Sequence, residues 1–267
     1  MSGPPRIALT IAGSDSSGGA GIQADLKTFA ALDVYGLSAV TAVTAQNTTG
    51  ITAITPLSAD LVIAQIEAVA GDIDVHATKT GMLATAAIVE AVAAAIEELD
   101  LALVVVDPVM VSKSGARLLG DDGVQVMRAE LLPRAFVVTP NLPEAEVLSG
   151  KRVASIADAR EAARRIHDAG AANVIVTGGH GEGDEIVDLL FDGRAFTELR
   201  TPRIDTRNTH GTGCTFASAV AAYLAHGHTP AEAAARAQRY VAGAIRHAIA
   251  IGHGHGPLNH FWNKPRI

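Results

Sequence analysis

LALVVVDPVM, residues 101–110, sets the reading of the chain. Its apolar residues run consecutively and do not alternate with polar ones. A strand of that kind is buried on both faces, as in the middle of a parallel sheet. It stops at Asp107-Pro108, where a carboxylate and a residue without an N–H leave the apolar run. Other short apolar runs resemble it: IALTIAG (7–13), VHATKTG (75–81), AFVVTP (135–140) and NVIVTGG (173–179). SAVTAVTAQN (38–47) is β-branched and strand-like, and ITAITPL (51–57) follows it as a further strand.

Between these runs lie segments of helical period. They are Gly19–Val34, Ala59–Ala70 behind an N-cap at Ser58, Thr85–Leu99, Asp121–Leu132, Leu142–Leu148 and Ser155–Ala169. EIVDLLFDGRAFTELR (185–200) reads as a hairpin about Asp192-Gly193, and Gly213–Ala225 and Thr229–Ala250 as two long helices. Strand–helix alternation predicts an α/β fold of three layers, with a mainly parallel central sheet and helices on both faces. No linker or repeat divides the chain, so one domain over 1–267 is expected.

The composition narrows the function. At 48% apolar and 18% charged residues the chain is globular rather than disordered. A net charge of −7 without a long basic run argues against nucleic acid as the main partner. No apolar stretch reaches membrane-spanning length, and the first strand is too brief for a signal peptide's apolar core. A cytoplasmic enzyme with small-molecule substrates is the expectation. One cysteine, Cys214, excludes an internal disulfide framework and a cysteine-rich zinc site.

In such sheets ligands bind beyond the carboxyl ends of the strands. Those ends carry Gly13-Ser14-Asp15, Gln46-Asn47, Lys79-Thr80-Gly81-Met82, Asp107-Pro108, Pro140-Asn141 and Gly178-Gly179-His180. The stretch NTHGTGCTFASAVAAYLAHG (208–227) adds a glycine turn opening a small, apolar helix. Amide hydrogens converging there, with the helix dipole behind them, make an anion hole suited to phosphoryl transfer. Cys214 at that helix mouth should favour its thiolate and accept a proton. The same residues also fit a plain turn with a small core cysteine. There is no G-x-x-x-x-G-K-[ST], and no strand-linked G-x-G-x-x-G with a later acid.

HGTGC (210–214) resembles the anion-hole motif of the ribokinase superfamily, whose sugar kinases usually place aspartate at the last position. Cysteine there is similar to the hydroxymethylpyrimidine kinase / hydroxymethylpyrimidine-phosphate kinase family of thiamine biosynthesis. So are LTIAGSDSSGGAGIQADLKTFAALDVYG (9–36), TAVTAQNT (41–48), KTGML (79–83), DPVMVSKSG (107–115), TPNLPEAEVL (139–148), GGH (178–180) and GHGPLNHF (254–261). The resemblance implies a ribokinase-like fold. It also implies transfer of the ATP γ-phosphoryl group to 4-amino-5-hydroxymethyl-2-methylpyrimidine and then to its monophosphate, with Mg²⁺.

By that resemblance Gly13, Ala20, Asp25, Gln46, Met82 and Val109 contact the pyrimidine. Gly211 and Gly213 build the anion hole, and Cys214 is the base or orients the acceptor hydroxyl. Asn141 and Glu144 match the N-x-x-E motif and, with Thr177, His210 and Lys113 in a flap over Ser112–Gly115, serve the nucleotide. Asp107 and Glu144 are the metal candidates. Several members of the family carry lysine before G-G-H, where this chain has Thr177, which can hydrogen-bond phosphate but cannot neutralise it. The tail histidines His253, His255 and His260 fit a glycine-rich cap on the last helix better than a metal site. Dimers are common in the superfamily, so a homodimer is expected. Two alternatives stay open: a pyridoxine or pyridoxal kinase on the same fold, and a non-catalytic vitamin-precursor-binding protein.

Overall fold

The computed structural model describes residues 4–112, 115–180 and 183–264. Its centre is a nine-stranded sheet in the order β3-β2-β1-β4-β5-β6-β7-β8-β9. The strands are β1 (Arg6–Asp15), β2 (Val34–Gln46), β3 (Ile51–Pro56), β4 (Ala77–Thr80), β5 (Val104–Val106), β6 (Val137–Val138), β7 (Val174–Val176), β8 (Glu185–Phe191) and β9 (Phe196–Pro202). The central run from β2 through β7 is parallel, while β3, β8 and β9 join antiparallel at the edges. The three-layer α/β expectation therefore holds.

Alternation within single strands builds the layers. Leu9, Val104, Val106, Val138, Val174 and Val176 face one core. Ala8, Val105, Val137 and Ile175 face the other. The first core packs under α2 (Ala59–Ala70), α3 (Ala86–Glu98), α5 (Leu142–Ser149) and α6 (Ile156–Asp168) through Val62, Ile66, Val92, Leu148 and Ile166. The second packs under α1 (Gly21–Ala31), α7 (Thr212–Ala225) and α8 (Pro230–Arg246) through Phe29, Phe216, Val220, Leu224 and Tyr240. Ala217, Ala219, Ala221 and Ala222 let α7 sit close to the sheet, all of them fully buried.

Caps fix the helix starts. Ser58, Thr85 and Ser155 each accept a hydrogen bond from the first turn of their helix, and Thr229 forms a capping box with Glu232.

Several boundaries differ from the sequence reading. The strand expected over 101–110 pairs only at Val104–Val106. Leu103 has a positive φ of 45°, and Pro108 has no N–H, so the apolar run outlasts the ladder. The first helix ends at Ala31, because Asp33 turns at φ 59° and Val34 already pairs with Arg6 in β1. The helix expected over Asp121–Leu132 is α4 (Asp121–Val126), a π turn (Met127–Leu131) and a 3₁₀ turn (Leu132–Arg134) that contains Pro133. The last helix stops at Arg246.

Candidate active site

The N-terminus of α7 opens at the sheet's carboxyl rim. Gly211 sits at φ 82°, and a Cβ there would lie 1.8 Å from the Gly19 carbonyl oxygen. Only glycine fits that turn. The first α-helical bond runs from Thr215 N–H to the Gly211 carbonyl at 2.9 Å, so the amides before it have no partner within the helix. Thr212 spends its N–H on Thr209 at 3.4 Å. Among the described residues, the N–H groups of Gly213 and Cys214 meet no protein acceptor. Gly213 is exposed, and a Cβ on it would meet nothing within 4 Å. Two free amides at a helix mouth make an anion site open to a ligand.

Beneath this mouth lies a buried charge cluster. Lys79, on β4, has no solvent exposure; its Nζ is 2.9 and 3.1 Å from the two Asp25 carboxylate oxygens and 3.8 Å from Asp107 Oδ2. Asp25 also accepts from Thr10 Oγ1 and Ser218 Oγ, both at 2.6 Å. Cys214 and Ser218 share a face of α7 at i, i+4, and both look down on Lys79 and its carboxylates. Burial opposes the lysine's charge, but the Asp25 carboxylate first, and Asp107 behind it, hold its pKa above the ordinary lysine value.

Cys214 departs from expectation. Burial pushes its thiol well above the usual cysteine range; Lys79 pulls it down, but Asp107 and Asp25 push it up again. The Gly21 N–H at the start of α1 is the remaining opposing contact. Before ligands bind, the side chain is therefore a thiol, not the expected thiolate. Burial, helped by the two carboxylates, outweighs the helix mouth and Lys79.

Asp25 is also corrected. It was expected to touch substrate, yet it is fully buried, and Lys79, Thr10 and Ser218 take up its oxygens. Its role is that of counter-ion to Lys79.

Gly13 and Met82 lie against each other. Gly13 N–H donates to the Met82 carbonyl at 3.1 Å, and a Cβ on Gly13 would lie 2.3 Å from the Met82 methyl. Ala20, half-buried, precedes α1 and donates its N–H to Asp15 Oδ2 at 2.8 Å. Gln46, at the end of β2, is half-buried and has its backbone clamped on both sides by Ser16 Oγ. Val109 is half-buried just past Asp107, where its N–H bonds the Asp107 carbonyl at 2.8 Å.

His210 was assigned to the nucleotide. Instead it is buried, with Nε2 2.8 Å from Asp15 Oδ2 and 3.4 Å from Gln46 Nε2. It ties the α7 turn to the end of β1. Asp15 also accepts from Ser17 and from the Gly19 and Ala20 amides. Burial would raise Asp15, but hydrogen bonds from His210 and Ser17 win and bring its pKa down to about 2.

The remaining candidates gather on the other side of Asp107. Asn141 caps α5 and forms a capping box with Glu144, which is buried. Burial first, then the nearby Asp107 charge, raises Glu144 to about 8, against the pull of the Asn141 and Met110 amides. Thr177 pairs with Asn141 across a parallel bridge, so its backbone belongs to this group. Lys113 lies outside the described residues.

Asp107 is raised by burial and by Asp25, against Lys79 and the Cys214 thiol, and its buried Oδ2 has no hydrogen-bond partner. Asp107 and Glu144 are two buried, mutually repelling carboxylates at the rim, one of them short of a donor. That donor set fits Mg²⁺, which takes one or two carboxylates plus water and substrate phosphates. Among the described residues no group of three or more His, Cys, Asp or Glu could hold an ion alone.

The tail corrects a smaller expectation. His253, Gly254 and His255 donate their N–H groups to Thr48 on the β2–β3 turn, so the glycine run caps that turn. Only its end reaches α8, where Tyr240 donates to the His260 carbonyl at 2.6 Å and Trp262 lies against Gly243.

The sequence reading missed Asp15, Thr10, Lys79 and Ser218 as partners. A lysine inside a strand whose neighbours are buried demands a counter-ion, and a Cys-x-x-x-Ser spacing on an apolar helix marks the face that supplies part of it.

Comparison with known proteins shows what the chain is similar to. A family described as phosphomethylpyrimidine kinase matches residues 15–259. The chain is 51% identical over 255 residues to a hydroxymethylpyrimidine/phosphomethylpyrimidine kinase of Bacillus subtilis, covering 95% of this chain and 94% of that protein. It is 53% identical over 257 residues to the thiamine biosynthesis bifunctional protein ThiED of Geobacter sulfurreducens, covering 96% of this chain but only 52% of that longer protein. Among solved structures, pyridoxal kinase from Staphylococcus aureus in complex with AMP-PCP and pyridoxal superposes with a TM-score of 0.91 at 42% identity, covering 98% of this chain and 96% of that one.

Proposed function

The chain belongs to the phosphomethylpyrimidine kinase family and is a phosphotransferase, and on that premise we propose how its site works. It moves the ATP γ-phosphoryl group to the hydroxymethyl of 4-amino-5-hydroxymethyl-2-methylpyrimidine, then phosphorylates the monophosphate to the diphosphate. The observation that carries this reading is the pair of free amides on Gly213 and Cys214 at the mouth of α7.

The pyrimidine lies against Gly13, Ala20, Met82 and Val109, with Gln46 on its polar edge. The travelling phosphoryl group sits on the Gly213 and Cys214 amides, where donors fixed before the reaction cost no reorganisation. Cys214 points at the acceptor hydroxyl. A thiol held protonated orients that hydroxyl rather than abstracting its proton, and a loose phosphoryl-transfer transition state asks little of a base. Asn141 and Thr177 serve the nucleotide phosphates. Asp107 and Glu144 would hold Mg²⁺, which supplies charge neutralisation on the phosphates.

A single kinase domain acting as a cytoplasmic homodimer completes the proposal. Among the described residues no helix is long and apolar enough to cross a membrane. The test is a coupled ADP-release assay with the pyrimidine alcohol, its monophosphate and pyridoxal, each alone. Turnover of the first two supports the proposal; turnover of pyridoxal alone refutes it. Pyridoxal phosphorylation is the second reading, favoured by the 0.91 superposition on a pyridoxal-bound kinase.

A further inference from the structure

Gln46 stands between two neighbours whose hydrogens are already committed. On one side is His210 Nε2, 3.4 Å from Gln46 Nε2 and 2.8 Å from Asp15 Oδ2. Asp15 is an ionised carboxylate, its pKa held down at about 2. The imidazole nitrogen that faces it must therefore carry the hydrogen and donate, and it has no lone pair left for Gln46. On the other side is Thr44 Oγ1, 3.2 Å from Gln46 Oε1. Its one hydrogen goes to the Ser14 carbonyl at 2.8 Å, so towards Gln46 it offers only lone pairs. A donor must not face a donor, nor an acceptor an acceptor. One amide orientation satisfies both sides: carbonyl oxygen towards His210, NH₂ towards Thr44.

We propose that Asp15 and His210 are positioning residues that lock the Gln46 amide in this orientation and thereby select a 4-amino over a 4-oxo pyrimidine. The inference rests on the function proposed above. Locked in this way, Gln46 has one N–H and one carbonyl lone pair left for a ligand, in fixed order. A 4-aminopyrimidine presents a ring-nitrogen acceptor beside an amino donor, which pairs with both. A 4-oxopyrimidine presents a ring N–H beside a carbonyl, the reverse pattern. It can be met only if the amide turns over, which sets Gln46 NH₂ against the His210 N–H and its oxygen against Thr44 lone pairs. The ring cannot turn instead, because its hydroxymethyl must face the Gly213 and Cys214 amides.

The experiment compares kcat/KM for 5-hydroxymethyl-2-methylpyrimidine bearing 4-amino or 4-oxo, in the wild type and three variants, with the KM for ATP measured throughout. The wild type should prefer the amino substrate by roughly a hundredfold or more, as a site with fixed polar groups does. His210→Phe frees the amide and should bring the preference to within about tenfold, mainly through the two substrates' KM values, with the KM for ATP unmoved. His210→Gln keeps an N–H towards both neighbours and should restore the preference. Thr44→Val removes the opposite anchor and should also relax it; it decides the matter if His210→Phe does not fold. An unchanged preference in the folded variants overturns the inference, as does an equal loss on both substrates, which marks a merely structural role. A wild type that phosphorylates the amino substrate without preferring it also overturns the inference and leaves the function standing. A wild type that phosphorylates neither overturns both.

Discussion

Replacing Lys79 with methionine keeps the length and apolar stem of the side chain and removes its charge. In the native protein Nζ lies 2.9 Å from Asp25 Oδ2 with neither residue exposed. At an effective dielectric near 20, that separation corresponds to about 6 kcal/mol of attraction, most of which offsets desolvation of the two charges. Removing one partner still leaves Asp25 as a buried anion with only the Thr10 and Ser218 hydroxyls, beside the second carboxylate of Asp107. Lys79→Met should therefore cost about 3–5 kcal/mol. For 267 residues, at about 2.1 cal/mol/K per residue, the melting temperature should fall by about 5–9 °C. Urea unfolding measures the loss as a lower midpoint at constant slope. The double variant Lys79→Met/Asp25→Asn removes the stranded charge and should recover about 1–3 kcal/mol of it, since replacing both partners is milder than removing one. A loss below about 1 kcal/mol in the single variant, or no recovery in the double, would refute the reasoning that this cluster is held by mutual charge.

Three more outcomes follow from the site. Cys214→Ala should slow phosphorylation of the alcohol about tenfold or more, because the hydroxyl loses the group that orients it, while Cys214→Ser keeps most of the rate; single-turnover kinetics measure this. Gly211→Ala should lower kcat by about 100-fold or more by forcing the α7 turn off the Gly19 carbonyl, and a crystal structure of the variant should show displaced Gly213 and Cys214 amides. Asp15 has a folded pKa near 2 against an ordinary 3.8, so it stabilises the native state above pH 4. That contribution, about 2 kcal/mol, is lost as the pH falls from 4 through 2, and Asp15→Asn should flatten this part of the acid unfolding curve.

The fold was legible because its signals are local. Valines in unbroken runs mark strands buried on both faces, and Ser58, Thr85 and Thr229 announce their helices through caps. The strand ends were harder, since an apolar run such as 101–110 does not reveal that Leu103 turns at φ 45°. The glycine turn ahead of α7 could be read from the sequence, as an anion mouth or as a plain turn. The charge cluster could not, because Thr10, Asp25, Lys79 and Ser218 meet across four separate elements, and a carboxylate about one turn into a helix looks the same in sequence whether it faces water or a buried lysine. His210 misled for the same reason: its place in HGTGC pointed to phosphate, while its partner, Asp15, lies 195 positions away. Cys214 was read from its helix mouth, whereas burial under neighbouring elements, more than the carboxylates they bring, keeps it a thiol.

The most direct test is a crystal structure with ADP, aluminium fluoride, Mg²⁺ and the pyrimidine alcohol bound together. The account predicts fluoride atoms about 2.7–3.1 Å from the Gly213 and Cys214 amide nitrogens, with the Cys214 sulfur beside the acceptor hydroxyl. A transferring group bound away from those amides, or a sulfur turned from the alcohol, would contradict it.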